Sequence, residues 1–203
     1  MFYVFTLAIA IFTIASLYFY TKKDHFGSEL PWMVSFVTVI SYVVMLGLNA
    51  TSAEPILYTR WLGYGASCTL LTLSMIEVFG VHGKDQRTAL IMTPLIMLTG
   101  FLASIFSSDV LLAGIIFGLG CIPFIRLIQI LRAHQNIATK PIMNYVYFGW
   151  MGFPIIFILS SEFLSILPSL TITLSLYLLL DVITKLLFYR SLEKAKEKQR
   201  LPS

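Results

Sequence analysis

The feature that most constrains this chain is the spacing of its charges. They fall in clusters, and between the clusters lie seven almost wholly apolar stretches: 2–20, 31–50, 55–79, 88–108, 110–131, 141–161 and 164–189. A helix rises ~1.5 Å per residue, so about 20 apolar residues cross the ~30 Å hydrocarbon core of a bilayer, and each stretch is close to that length. Transmembrane strands would show an alternation over ~10 residues, which is absent. Hydrophobic residues make up 58% of the 203 positions and charged ones 12%, which leaves too little polar surface for a soluble domain. The chain therefore reads as an all-α membrane protein, a seven-transmembrane-helix bundle forming one domain over 1–203. A basic tail occupies 191–203.

Basic residues set the expected orientation. Lys22, Lys23, Lys84, Arg87, Arg126, Arg132, Lys140, Arg190, Lys194, Lys196, Lys198 and Arg200 lie in or beside the turns 21–30, 80–87 and 132–140 and in the tail. The alternate loops contain no Lys or Arg. By the positive-inside rule the N-terminus is outside, the C-terminus is cytoplasmic, and the cell membrane is the expected location. The net charge of +4 then belongs to the cytoplasmic rim and calls for no nucleic acid. The first stretch lacks a basic leader region and a small-residue cleavage site, so it reads as a retained helix. Cys68 and Cys121 both fall inside spans, and His25, His82 and His134 all lie in the basic loops, so neither a disulfide framework nor a metal site is expected.

Any function must be built among the helices, which directs attention to polar residues deep in the spans. Three ionisable residues are deep, namely Arg60, Asp181 and Lys185, and Glu77 is shallower. A charge at the centre of a membrane helix costs roughly 2.5–3.5 kcal/mol on the insertion scale, so such a residue is a functional hypothesis with a partner to be named. Asp181 and Lys185, in LLLDVITKLL, are four apart and share one helix face. One reading is a neutralised ion pair that helps helices associate. The other is chemical: a desolvated lysine can condense with an aldehyde to a Schiff base, and Asp181 would balance its charge once protonated.

The third span adds a stripe at spacings of three and four: Arg60, Gly63 or Tyr64, Ser67, Leu71, Ser74, and Glu77 or Val78. It reads either as close small-residue packing or as a polar path with a cation at one end and a carboxylate near the other. In the sixth span Trp150, Phe153 and Phe157 share a face around Pro154, which removes one backbone hydrogen bond and marks a bend.

Taken together, these residues resemble the microbial (type I) rhodopsins over essentially the whole chain. The resemblance rests on D-V-x-x-K at Asp181 and Lys185, and on W-x-x-[YF]-P at Trp150, Phe153 and Pro154, followed by Phe157, Ser161 and Glu162. It also rests on R-W-L from Arg60, Y-x-x-M-L from Tyr42, and DQRT at 85–88. It implies all-trans retinal bound covalently to Lys185 as a Schiff base, with Asp181 as counterion. Tyr42, Tyr64, Leu71, Trp150, Phe153, Pro154 and Phe157 would form the pocket. It further implies a light-activated protein that is not an enzyme, embedded in a lipid bilayer and often homo-oligomeric.

Departures from the family pattern narrow the subtype. Outward proton pumps place an aspartate three residues after the span-three arginine, where this chain has Gly63, and their proton-donor position is Ser74 here. Schizorhodopsin-like inward proton pumps rely on the last-span aspartate alone and carry Ser-Cys in span three, matched by Ser67-Cys68. They have Phe at the position of Gly63 and Glu at that of Ser74, so the match is incomplete, and Glu77 is the substitute candidate for the cytoplasm-directed proton route. Inward proton pumping, with protons as the transported partner, is the favoured expectation. A light sensor with a signalling partner and a halide pump using the space at Gly63 and Ser67 are the alternatives. A non-retinal seven-helix carrier of small molecules is more distant, because it leaves Lys185 unexplained. Glu162 resembles the release region of outward pumps, with a rim carboxylate as the plainer reading.

Overall fold

The computed structural model describes residues 1–48, 53–160 and 163–200, without the side chains of 53, 54 and 195–200. Among the described residues, seven helices are long and apolar enough to cross a membrane. They are α1 (Phe2–Thr21), α2 (Leu30–Leu48), α3 (Ala53–Phe79), α4 (Gly83–Ile105), α5 (Val110–Ala133), α6 (Lys140–Leu159) and α7 (Leu170–Lys194). Successive helices run antiparallel, so the turns rich in Lys and Arg share one end of the bundle with the end of α7. That end is called the basic end below.

The helices sit where the apolar stretches predict, with corrections at their ends. The expected extension of the second span to 50, and the residues Ser161 and Glu162, lie outside the described residues. The loop expected at 80–87 is mostly helix. Gly80 and Gly83 adopt φ of 66° and 65° and turn the chain within three residues, and Asp85 in the first turn of α4 suits the helix dipole. The last span begins at Leu170 rather than 164, because Pro168 has no N–H to give and the Ser169 hydroxyl caps the helix by accepting from the Ile172 amide at 3.3 Å. The basic segment continues α7 as helix to Arg200.

Two departures from α geometry position the core. In α6 a wide π turn spans Tyr145–Trp150, and four residues later Pro154 has no amide to donate to the Trp150 carbonyl. In α7 a second π turn, Val182–Leu187, holds Lys185. The two turns lie against each other because Gly149 and Gly152 present no side chain. A Cβ at 149 would come within 2.6 Å of Thr184 Cγ2, and one at 152 within 2.8 Å of Leu180 Cδ1. Apolar packing divides into two clusters. One fills the basic end with Phe19, Leu71, Met75, Leu127, Leu131, Val146 and Phe188, and the other fills the opposite half with Phe5, Phe12, Tyr42, Met45, Ile56 and Leu174.

The α6–α7 approach generates a test. Glycine to alanine inside a helix is ordinarily favourable by up to ~1 kcal/mol. At Gly149 the added methyl overlaps Thr184, and Gly149→Ala is expected to destabilise by about 1–3 kcal/mol in detergent unfolding. Adding Thr184→Ser, which removes the clashing methyl, should restore most of the loss. Gly65→Ala, where nothing lies within 4 Å, should cost nothing.

Candidate functional site

The site begins with two side chains that α7 places one turn apart. Asp181 and Lys185 are 1% and 2% exposed, and Lys185 Nζ lies 2.8 Å from Asp181 Oδ1. Helix α2 contributes two hydroxyls. Tyr42 donates to Asp181 Oδ2 at 2.8 Å, and Lys185 Nζ donates to Thr38 Oγ1 at 3.2 Å. Each carboxylate oxygen thus has a partner, which is the condition for keeping this charge in a dry interior. Among the described residues, Asp181 is the one buried carboxylate.

Helix α3 supplies the next layer, away from the basic end. Arg60 is buried, with its guanidinium 4.1 Å from the Tyr177 ring centroid and 5.3 Å from that of Trp61. Gly63 faces α2 so closely that a Cβ there would lie 2.8 Å from Ser41 Cβ and nearer still to Ser41 Oγ. Position 63 therefore has no room for a carboxylate unless α2 gives way. A narrow polar cavity remains between Ser41, Tyr42, Arg60, Gly63, Asp181 and Lys185.

Across Tyr64 and Tyr177, which border both spaces, lies a much larger apolar cavity of about 840 Å³, its open mouth included. Trp61, Tyr64, Phe117, Phe124, Trp150, Phe153 and Tyr177 furnish aromatic walls, and Cys68, Pro154 and Thr184 complete the end nearest Lys185. The Phe153 and Tyr177 rings stack at 6.0 Å, and Lys185 Nζ is 5.1 Å from the Tyr64 ring centroid. The aromatic slot fits an elongated apolar ligand, and the Lys185 amine stands in the adjoining polar cavity, across the Tyr64 and Tyr177 rings that border both.

The structure brings together most of the residues singled out in the sequence. Asp181, Lys185, Tyr42, Arg60 and Tyr64 surround the polar cavity; Tyr64, Cys68, Trp150, Phe153 and Pro154 line the apolar one. Ser67 is buried in the same stripe of α3. Two expected pocket residues stand elsewhere. Leu71, a turn nearer the basic end than Cys68, belongs to the apolar cluster there, and Phe157 backs the cavity wall by packing on Phe117 and Trp61 at 5.1 and 5.7 Å. Ser74 is buried with its Oγ 3.0 Å from the Tyr189 hydroxyl, whereas Glu77 is exposed and Val78 continues the buried face. Sequence reading missed Thr38, Trp61, Phe117 and Tyr177. Thr38 and Tyr177 were within reach, since each stands four residues before a residue already chosen, Tyr42 and Asp181.

Seven apolar helices around a lysine–carboxylate pair, with an aromatic slot beside that lysine across Tyr64 and Tyr177, define a membrane protein with room for an extended apolar ligand next to a buried amine. The chain matches the family model described as bacteriorhodopsin-like protein over residues 1–189, and it belongs to that family, the microbial rhodopsins, whose members bind retinal through a Schiff base. It is a multi-pass membrane protein. A comparison with curated proteins gives no match. Among solved structures it is similar to schizorhodopsin 4, with 29% identity and a TM-score of 0.86 over 95% of this chain and 98% of that one. Halorhodopsin, a light-driven chloride pump, is 18% identical with a TM-score of 0.85 over 98% and 96%. Thermophilic rhodopsin from Rubrobacter xylanophilus is 17% identical with a TM-score of 0.82 over 97% and 96%. The last two share the fold.

The buried pair predicts a double-mutant signature in the protein without retinal. Lys185→Met leaves the Asp181 charge uncompensated and is expected to cost about 3–5 kcal/mol. Lys185→Met with Asp181→Asn should recover most of that, read as a coupling energy from unfolding midpoints.

Proposed function

We propose that this chain is a light-driven inward proton pump of the cell membrane, with its N-terminus outside and its C-terminus cytoplasmic, carrying all-trans retinal on Lys185 as a protonated Schiff base. The observation that carries this reading is the single carboxylate: Asp181 pairs with Lys185, and position 63 is packed against Ser41. When bound, retinal supplies a double bond that isomerises on absorbing light and so re-aims the proton on the lysine nitrogen. The protein's residues do the rest. Asp181 balances the charge, and Tyr42 fixes one carboxylate oxygen so that the other faces Lys185. Trp150, Phe153 and Tyr64 wall the slot and exclude water.

Direction follows from what each side of Lys185 offers a proton. Away from the basic end stands the Arg60 cation, which disfavours an arriving proton, and the described residues there include no further buried carboxylate. Toward the basic end the groups are neutral: Ser67, the Cys68 thiol, then the Ser74–Tyr189 pair, with the exposed Glu77 at the end of α3 as the acid that draws the proton out. Likeness to schizorhodopsin 4 supports the same choice. One observation favours a second reading, a halide pump: the small cavity beside Gly63 is bordered by the buried Arg60 cation, whose charge would attract an anion.

Adding all-trans retinal to the expressed protein should produce a visible band that Lys185→Ala lacks; the same band in the variant would refute the attachment site. Illuminated cells should raise external pH, and a protonophore should abolish the signal. Acidification, or a photocycle with no pH change, would reject inward pumping, and a halide-dependent colour shift would favour anion transport. Glu77→Gln should slow transport about tenfold or more while leaving the band in place, as expected for a group that acts on the proton and lies far from the chromophore.

A further inference from the structure

Thr38 is the one neutral side chain hydrogen-bonded to Lys185 Nζ among the described residues, and neither the apolar slot nor the proton route accounts for it. Its geometry is specific. The hydroxyl proton is directed to the Val34 carbonyl at 2.8 Å, so Oγ1 turns its lone pairs toward Lys185 and acts there as an acceptor. The side chain is buried at 2% exposure in the middle of α2, exactly one helical turn from Tyr42, which holds Asp181. Helix α2 thus grips both members of the pair, one hydroxyl on each.

We infer that Thr38 is a positioning residue for the lysine nitrogen: its hydroxyl is the second acceptor that takes the place of the carboxylate missing at position 63. The inference rests on the reading of Lys185 as the retinal attachment site. A lysine ammonium has three N–H donors and satisfies Asp181 and Thr38 together. Once the nitrogen is an imine it keeps a single N–H, for which the two acceptors compete. A neutral oxygen beside the carboxylate stabilises the charged nitrogen without adding a second negative charge. It therefore holds the proton less firmly than a pair of carboxylates would, as a chain that must release this proton under light requires.

The test compares Thr38→Val, which keeps the shape and removes the hydroxyl, with Thr38→Ser, which keeps the hydroxyl. In retinal-loaded protein the shift of the C=N stretch on exchange into heavy water reports hydrogen bonding at the nitrogen. Thr38→Val should reduce that shift and move the visible band to longer wavelength, because less of the positive charge is held at the nitrogen. Thr38→Ser should match the wild type. A second arm needs no retinal: reductive methylation with formaldehyde and cyanoborohydride, followed by mass spectrometry, with the exposed Lys140 as internal reference. Removing an acceptor from the charged amine should speed methylation at Lys185 about tenfold in Thr38→Val and leave Thr38→Ser unchanged. Equal rates and spectra in Thr38→Val and wild type, or the same change in both variants, would overturn the inference. Failure of the wild type to form a visible band, with the methylation contrast intact, would overturn retinal attachment and leave the Thr38 acceptor standing.

Discussion

A carboxylate and an ammonium can be held in the middle of an apolar bundle only if each neutralises the other and their remaining hydrogen-bonding capacity is met. The rest of this structure is arranged around that condition. Asp181 and Lys185 neutralise each other along α7, and α2 adds one hydroxyl to each through Tyr42 and Thr38. Helix α3 then brings Arg60 against the Tyr177 ring, beside the cavity that the pair also borders. Helices α2, α3 and α7 thereby supply the polar groups of the site. Because the charges are satisfied on that side, the space across Tyr64 can be wholly apolar, walled by aromatic rings from α3, α5, α6 and α7.

Much of this was legible in the sequence, for physical reasons that differ by residue. The seven spans were readable because a bilayer imposes a length that composition reveals. Asp181 and Lys185 were readable because charge in an apolar run is costly and a spacing of four is a geometric statement. Trp150, Phe153 and Pro154 were readable because proline among aromatics disturbs a regular pattern. The α4 and α5 walls of the cavity were not readable. Ile96, Phe117 and Phe124 are ordinary apolar residues in apolar helices, and only packing distinguishes one facing a slot from one facing lipid. The π turns were also hidden, since they change which way side chains point without changing residue type. Leu71 and Phe157 illustrate the result: helical periodicity placed them on plausible faces, but packing puts Leu71 in the apolar cluster at the basic end and Phe157 behind the slot wall, against Phe117.

Glycine carries an unusual share of the geometry. Gly149 and Gly152 bring the two π turns together, and Gly63 lets α3 close on α2 beside Ser41. These are two uses of the same lack of a side chain. The first sets where Lys185 emerges relative to α6; the second decides that no second acid stands near it. A carboxylate at 63 would have to push α2 away, and α2 is the helix holding Asp181 and Lys185 through Tyr42 and Thr38. The single-carboxylate site and the tight α2–α3 contact are therefore one design, and neither can be altered without the other.

The same packing bears on direction. Between Cys68 and the Ser74–Tyr189 pair, the apolar cluster of Leu71, Met75, Leu127, Leu131 and Val146 seals the basic end. A proton does not cross such a layer while it is close-packed, so inward transfer requires the layer to part after light is absorbed. Helix α6, which contributes Val146, has an interrupted backbone ladder at this level: a π turn over Tyr145–Trp150 and the amide missing at Pro154. Fewer hydrogen bonds resist its bending, and its slot-facing side already touches the chromophore space through Trp150 and Phe153. In the proposed inward pump, the helix that lines the slot is thus also one that contributes to the seal. That shared helix supports the proposal that a site with one carboxylate sends its proton toward Glu77 rather than past Arg60.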